Sequence, residues 1–188
     1  MMKTVTMKSY RKTKRDNMEY IELALKRPYP VSELQWRKGF KGGKDLVYID
    51  ARQVANRLDK IVGMFNWQDS YTETGSGMKI CTISILYKGN WISKSDGAGD
   101  TGIEGEKGSI SDAFKRCAAR GWGIGRYLYF RGAFDANRIP AEWATPEGYD
   151  RIMAEINQKD IEQWKREYEN AQKNGKRKAT RLISDKCS

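Results

Sequence analysis

Apolar residues change their spacing along the chain, and each change predicts an element. Residues 17–26 predict a short helix, which ends before a pair of prolines. Residues 48–64 predict a second helix, because Val54 and Leu58 recur at helical spacing among polar neighbours. Asp50 is a suitable N-cap residue for this helix.

The middle of the chain has the two-residue period of β-strands. Residues 65–74, 79–87 and 91–95 are rich in β-forming residues, and alternation is clearest in the second run. Glycine-containing turns at residues 75–77 and 88–90 separate the three runs. The pattern therefore predicts three consecutive antiparallel strands that form a meander.

A glycine-rich stretch, residues 97–108, leads from the meander into a helix at residues 107–120. At 100° per residue, one face of this helix is apolar and consists of Ile110, Ala113, Phe114, Cys117 and Ala118. We predict an α+β fold, in which an antiparallel three-stranded β-meander packs on a long helix (a β-β-β-α core) with flanking helices.

Residues 141–175 predict an acidic C-terminal helical segment. Thr145 can cap its start, and Pro146 stands at the first helical position. Apolar residues then recur at roughly helical spacing, and Gly175 is the expected stop. We expect one helix or a pair of helices that packs on the body or on a neighbouring subunit.

Charge separates a nearly neutral body from two basic ends. The formal net charge is +11; residues 1–15 carry six basic residues and no acid, and residues 176–188 carry five basic residues and one acid. Such blocks often contact polyanions, although they can also serve solubility alone. The predicted regions are a basic N-terminal tail at 1–16, a core at 17–140, the helical segment at 141–175 and a basic C-terminal tail at 176–188.

Composition excludes several kinds of site. The chain has no histidine, which removes the commonest general base and metal ligand, and its three cysteines form no CxxC pair. We therefore expect a protein that is not an enzyme and uses no cofactor. No apolar run approaches the roughly 18 residues of a membrane span, so we expect a cytoplasmic protein with no membrane partner.

Two motifs suggest other chemistry. The glycines of residues 97–102 have GxGxxG spacing, but they follow a meander instead of a βαβ unit, which argues against dinucleotide binding. Asp96, Asp100, Glu104 and Glu106 are a local acid cluster. Two-metal nucleases need no histidine, so a metal-dependent nuclease is an alternative function.

The window from residue 107 to residue 131 combines cations and aromatic rings. Its basic residues are Lys107, Lys115, Arg116, Arg120, Arg126 and Arg131. Adjacent cations can contact successive phosphates, and aromatic rings can stack on bases. The alternative interpretation is that the rings are core and the charges form a solvated helix face.

Three segments occur in a fixed order: residues 45–54 (DLVYIDARQV), residues 65–71 (FNWQDSY), and residues 111–118 (SDAFKRCA) continuing to 123–129 (GIGRYLY). Together they resemble the Rad52-like annealing proteins, most closely the Sak-type phage recombinases. The similarity covers about residues 28–131. The resemblance implies a homo-oligomeric ring or open helix with an outer groove that holds single-stranded DNA by its backbone.

The resemblance also implies where the groove lies. It places Lys115 and Arg116 in the inner groove and Lys107 two turns earlier, with Arg52 beside the family's usual position. Arg37 and Lys44 are further candidates by alignment, and the basic window adds Arg120 and Arg126. The predicted DNA-binding residues are thus Lys115, Arg116, Lys107, Arg52, Arg37, Lys44, Arg120 and Arg126.

The expected activity is annealing of complementary strands in recombination or double-strand break repair. Backbone contacts are sequence-independent, and base pairing drives the reaction, which fits the absence of a GxxxxGK[ST] nucleotide loop. A second alternative is a general nucleic-acid-binding protein that acts through its basic tails. The expected partners are single-stranded DNA, further copies of the chain, and a host single-strand DNA-binding protein whose acidic tail meets residues 176–188.

Overall fold

The computed structural model describes residues 18–39, 43, 45–98 and 106–184. The chain divides into two compact units, residues 1–146 and 147–188. The first unit contains, in chain order, α1 (Met18–Lys26), β1 (Gln35–Arg37), β2 (Leu46–Tyr48), α2 (Ala51–Ile61), β3 (Trp67–Glu73), β4 (Lys79–Tyr87), β5 (Asn90–Ala98) and α3 (Glu106–Cys117). The last helix, α4 (Pro146–Ser184), contains all of the second unit's described residues.

The predicted α+β fold and its meander are confirmed. Strands β3, β4 and β5 form an antiparallel sheet in that order, and Ile83 lies between Asp69 of β3 and Lys94 of β5. A second, two-stranded ribbon pairs β1 with β2, with Trp36 opposite Val47. The alternation did not predict this ribbon, since its strands have only three residues each.

A capping box fixes the start of α2. The Asp50 carboxylate accepts a hydrogen bond from the Gln53 backbone N–H at 2.8 Å, and the Gln53 side-chain oxygen accepts one from the Asp50 N–H at 2.8 Å. Asp50 is thus the cap, as predicted. The predicted span of residues 48–64 is wrong at both ends, because Tyr48 belongs to β2 and Gly63 has left the helix with a φ of 97°.

The core lies between the meander and α3. Cys81, Ile83 and Ile85 of β4 point to one face of the sheet and are almost fully buried there. α3 packs on β4 and β5 through Ala113 and Cys117, both with no exposed surface. These small side chains let the helix approach the sheet closely. Cys81 and Cys117 are free thiols.

Ile110 was predicted to face the core, and this is wrong. Its side chain is exposed, whereas Ser109 is buried. The buried row runs at four-residue spacing through Ser109, Ala113 and Cys117. Ile110 lies beside this row in the first turns of the helix, where it remains open to solvent.

Glycine marks the end of the helical segment that begins with α3. The helix continues as a π-helical turn, Ala118–Trp122, and Gly123 then takes a φ of 80°. A Cβ atom on Gly123 would lie 2.6 Å from Cγ of Lys26 in α1, so both the conformation and the space require glycine. Trp122 is half-buried and donates its indole N–H to the carbonyl of Ile83 at 3.2 Å.

The last helix begins at Pro146, as predicted, but the predicted stop at Gly175 is wrong. α4 is 39 residues long and continues to Ser184. A glycine in a helix interior costs about 1 kcal/mol relative to alanine and does not break the helix by itself. Lysine, arginine and alanine, which favour helices, surround Gly175. No helix in the described part of the chain is long and apolar enough to cross a membrane.

Candidate nucleic-acid interface

The outer side of α3 and the π-helical turn carries three cations, Lys115, Arg116 and Arg120, which we name the α3 cationic face. Nη2 of Arg116 lies 3.8 Å, and Nη1 of Arg120 3.5 Å, from the same Oδ1 atom of Asp96. The Arg116 and Arg120 side chains are 50% and 75% exposed, whereas that of Asp96 is 11% exposed. One carboxylate therefore serves two exposed guanidinium groups.

The fold of β5 holds Asp96 in place. Asp96 pairs with Cys81, so its side chain points to the face that α3 covers. Its carboxylate also accepts a hydrogen bond from the Gly97 backbone N–H at 2.8 Å. Aspartate is unfavourable within strands, and this was the one local signal that Asp96 has a specific role. The sequence placed it only in an acid cluster.

Lys115 has a different partner from its neighbour Arg116. Its Nζ lies 3.6 Å from Oδ1 of Asp112, three residues earlier in α3. The Lys115 side chain is 28% exposed. Successive side chains leave a helix about 100° apart, so Lys115 and Arg116 present their charges in different directions.

Tyr129 lies within electrostatic range of both this face and the β1–β2 ribbon. Its ring is 70% exposed, in a short 3₁₀ turn after Gly125. Partial desolvation raises the pKa of its hydroxyl, Asp112 raises it further, and Arg116 and Arg37 oppose the shift. Arg37 of β1 is therefore close enough to Tyr129 to act on it electrostatically, as is Arg116 of α3. The guanidinium of Arg37 lies 5.8 Å from the ring centroid of Tyr48.

Ion pairs at Asp45 anchor the ribbon. The Asp45 carboxylate lies 2.9 Å from Nζ of Lys38 and 2.6 Å from Nη2 of Arg138. Hydrogen bonds from Lys38 and Arg138 hold the pKa of Asp45 below its ordinary value. Arg138 also lies over the ring of Trp36, 5.0 Å from its centroid. These contacts fix the ribbon that carries Arg37.

Arg126 is engaged by the backbone. It donates from Nε to the carbonyl of Ala119 at 2.7 Å and from Nη2 to the carbonyl of Arg120 at 2.5 Å. Lys94 of β5 donates to the carbonyl of Gly121 at 2.7 Å. Cations thus satisfy the last carbonyls of the helix, where its dipole is negative. Arg126 has a structural task that Arg116 and Arg120 lack.

The structure does not show the other predicted residues at the α3 cationic face. Arg52 is exposed in the first turn of α2. Lys44, the side chain of Lys107 and the N-terminal tail lie outside the described residues, as do the side chains of residues 176–188. The structure therefore brings together Arg116 and Arg120 at Asp96, and it places Arg37 within electrostatic range of Tyr129.

The described residues contain no group of three or more acidic or cysteine side chains that could hold a metal ion. Of the predicted acid cluster, only Asp96 is described, and it pairs with arginines. Asp100, Glu104 and the Glu106 side chain lie outside the described residues. Of the GxGxxG motif, Gly97 belongs to β5.

The described part of the chain thus combines a cationic helix with the antiparallel meander on which it packs. The family described as Rad52/22 family double-strand break repair protein matches residues 17–137, nearly two thirds of the chain. The chain belongs to the Rad52/22 family. Comparison with curated proteins gave no match.

Membership of the Rad52/22 family implies a role in DNA recombination and repair. The matched residues include both sheets, α1 to α3 and Arg116, Arg120 and Arg37. The narrower resemblance to the Sak-type phage recombinases stays a prediction. So do the individual DNA-binding residues.

Proposed function

We propose that this Rad52/22 family chain binds single-stranded DNA by its phosphates and anneals complementary strands. It acts without nucleotide hydrolysis and without catalysing a covalent step, as a homo-oligomeric ring or helix. Strand annealing needs a surface that grips the backbone and leaves the base edges free. The chain's contribution is the α3 cationic face, together with Arg37 and the exposed ring of Tyr129.

The shared carboxylate of Asp96 is the observation that carries the proposal. Arg116 and Arg120 both lie at the long end of ion-pair distance from it, and both remain largely exposed. Ion pairs whose cations are largely exposed and lie 3.5–3.8 Å from the carboxylate contribute little, about 0–1 kcal/mol. A phosphate can therefore take up one guanidinium without disrupting a strong internal contact.

The test compares two double variants with the same change in charge. Arg116→Gln with Arg120→Gln removes the two cations at Asp96. Lys60→Gln with Lys159→Gln removes two exposed lysines from α2 and α4. Binding of a labelled oligonucleotide is measured between about 50 and 200 mM salt, and annealing is followed by fluorescence quenching.

The arginine variant should lose most of its affinity and annealing, and the lysine variant should keep both. Each lost phosphate contact lowers the slope of log K against log salt by about 0.7 for single strands. The arginine variant should therefore lose about 1.4 from the slope. Equal salt slopes in the two variants would show that Arg116 and Arg120 do not contact the phosphates.

Deletion of residues 1–15 and 176–188 separates groove binding from tail binding. If the groove binds DNA, the trimmed chain keeps annealing activity that depends on Arg116 and Arg120. If the tails alone bind nucleic acid, the trimmed chain loses all affinity. Incubation of labelled DNA with magnesium or manganese tests the nuclease alternative, and intact DNA is the expected result.

The basic C-terminal tail is proposed to bind the acidic tail of a host single-strand DNA-binding protein. Residues 176–188 carry five basic residues and one acid, which makes an acidic peptide a suitable ligand. An acidic tail peptide should bind the full chain and not a chain that ends at residue 175. Equal binding by both chains would contradict this partner.

A further inference from the structure

Both edges of the three-stranded sheet are long and free of proline. β3 has seven residues and β5 has nine, and the register with β4 is continuous along each strand. A long open edge is a template on which another strand can pair. The question is which strand fits.

Register shows which backbone groups point outward. The Leu86 N–H donates to the Asn66 carbonyl at 2.8 Å, so even-numbered residues of β4 bond toward β3 and odd-numbered ones toward β5. On β5, the outward groups then belong to Trp91, Ser93, Ser95 and Gly97. The Gly97 N–H bonds to the Asp96 carboxylate, which agrees with this assignment.

The remaining outward groups of β5 have no backbone partner among the described residues. On β3, the same parity turns the backbone groups of Trp67, Asp69, Tyr71 and Glu73 outward. Each edge therefore offers a row of donors and acceptors spaced for one further strand.

The two edges differ in how they are covered. α3 packs on β4 and β5, and Arg116 and Arg120 of its cationic face pair with Asp96 on β5, the strand at this edge. On the same sheet face, β3 exposes Asp69, which accepts a hydrogen bond from the Tyr71 hydroxyl at 2.7 Å, and Glu73, which pairs with Lys79 of β4. Tyr71 itself is 39% exposed. One edge thus ends in arginines above the sheet, and the other ends in carboxylates beside an uncovered aromatic ring.

We propose that the β5 edge of one copy pairs with the β3 edge of a second copy, in parallel, to continue the sheet. The sheet face covered by α3 in one copy then continues into the face of β3 in the next. The partner's acidic edge then lies next to β5, on the sheet face that α3 covers, and the helix covers the exposed ring. This inference rests on the homo-oligomer of the proposed function and specifies the contact between neighbouring copies. We call this pairing of two strand edges the joint.

Charge argues against the two symmetric joints. Pairing of two β3 edges would bring Asp69 and Glu73 of both copies together, and like charges on adjacent strands are destabilising. Pairing of two β5 edges would place two α3 helices on one sheet face, with Arg116 and Arg120 of both copies at the joint. Only the head-to-tail joint brings opposite charges together.

A head-to-tail joint leaves one open β3 edge and one open β5 edge at the ends of every assembly. It therefore repeats until the copies close into a ring or extend as a helix. The other sheet face has hydroxyl pairs, Thr82 with Ser95 and Ser84 with Ser93, each at 2.8 Å. The joint would extend these rows to the hydroxyls of the next β3.

Disulfide crosslinking tests the joint in the full chain carrying Cys187→Ser, with Cys81 and Cys117 left in the core. Ser95→Cys on β5 is combined in turn with Gln68→Cys, Ser70→Cys or Thr72→Cys on β3, all on the face away from α3. Within one copy these strands lie roughly 9–10 Å apart, too far for a disulfide. Any crosslink must therefore join two copies.

At least one double variant should give a ladder of dimers, trimers and larger species on a non-reducing gel. Ser95→Cys alone should stay monomeric on the same gel. Dimers from the single variant would show a β5–β5 joint, and no ladder from any of the three pairs would exclude the head-to-tail joint. Either result overturns the inference.

A proline variant gives an independent check. Ser95→Pro removes one outward N–H and leaves the bonds to β4, whereas Ser95→Ala loses only the hydroxyl. Sedimentation should show smaller assemblies for the proline variant and wild-type ones for the alanine variant. Wild-type assemblies from both would contradict the joint. If the cysteine variants form ladders but the wild-type chain does not anneal complementary strands, the proposed function is wrong and the joint stands.

Discussion

Arg120 and Arg126 lie six residues apart in the same basic window, yet their contacts differ in kind. Arg126 donates to two carbonyls at the end of the helix, whereas Arg120 is 75% exposed and pairs with Asp96. Both residues were predicted from the sequence to contact DNA, because charge and spacing do not show which cation donates hydrogen bonds to backbone carbonyls. Only the turn after Gly123 brings Arg126 back to the helix end.

Arg126→Ala should therefore destabilise the fold, and Arg120→Ala should not. Loss of the Arg126 donors leaves helix-end carbonyls without partners, which costs about 1–3 kcal/mol. Removal of an exposed cation changes stability by about 0.5 kcal/mol or less. Urea unfolding of both variants measures the difference, and equal midpoints would contradict it.

Two buried tyrosines make the fold sensitive to alkali. The Tyr29 N–H donates to the Tyr127 hydroxyl oxygen at 3.1 Å, and the Tyr29 hydroxyl donates to the Gln53 carbonyl at 3.1 Å. Arg57 stacks on the Tyr29 ring, 3.5 Å from its centroid. Burial raises the pKa of Tyr29 to about 12 and that of Tyr127 to about 12.

The free energy of unfolding should therefore fall between about pH 10 and pH 12. In that range the unfolded tyrosines release protons while the folded ones retain them, so the unfolded state gains stability as pH rises. Each pKa unit is worth about 1.4 kcal/mol per tyrosine. Urea unfolding at intervals of pH measures the fall in the free energy of unfolding, and Tyr29→Phe with Tyr127→Phe should reduce this fall. An unchanged slope in that variant would assign the effect elsewhere.

Among the elements, the turn after α3 depends on glycine more strongly than the β4–β5 hairpin does. Gly125 and Gly89 both have positive φ, at 70° and 81°. A Cβ atom on Gly125 would lie 2.6 Å from Cδ1 of Ile49, whereas a Cβ atom on Gly89 would meet nothing within 4 Å. The two positions therefore share backbone strain and differ only in space.

Gly89→Ala should cost about 1–2 kcal/mol, the strain of a left-handed residue. Gly125→Ala should cost clearly more, because Ile49 is in the core and must shift. Thermal unfolding of the two variants gives the comparison. A Gly125→Ala variant no less stable than Gly89→Ala would show that Ile49 moves freely.

The elements that the sequence predicted are those with local signals. β4 alternates cleanly, and the Asp50 cap is encoded within four residues, so both could be read directly. The β1–β2 ribbon could not, because contacts such as Asp45 with Arg138 join residues 93 positions apart. The prediction that Ile110 is buried was wrong for a related reason. Periodicity identifies the apolar stripe of a helix, but it does not show which part of the stripe the sheet covers.

The same limit applies to the candidate site. Helical spacing put Arg116 and Arg120 on a polar face, and their exposure agrees with this. The role of Asp96 depends on its pairing with Cys81 and on the position of α3, both of which are set by tertiary packing. No spacing rule connects a strand residue with arginines 20 and 24 positions later.

At the scale of the whole molecule, the first unit has its own core. The core cluster runs from Leu25 to Ala144, and the division between the units falls at Pro146. A chain that ends at Pro146 should therefore keep its sheet and unfold cooperatively at a denaturant midpoint close to that of the full chain. Circular dichroism with urea titration tests this, and a broad, non-cooperative transition would contradict it.

Asp96 neutralises only one of the two charges of Arg116 and Arg120, so each copy of the chain keeps one uncompensated positive charge at this place. In an assembly of identical copies this uncompensated charge recurs at a fixed interval, so the number of charges that an oligonucleotide contacts depends on how many copies it spans. Oligonucleotides should gain affinity in steps as they reach each further copy, rather than smoothly with length. Asp96→Asn would double this uncompensated charge at every position and leave the interval between steps unchanged.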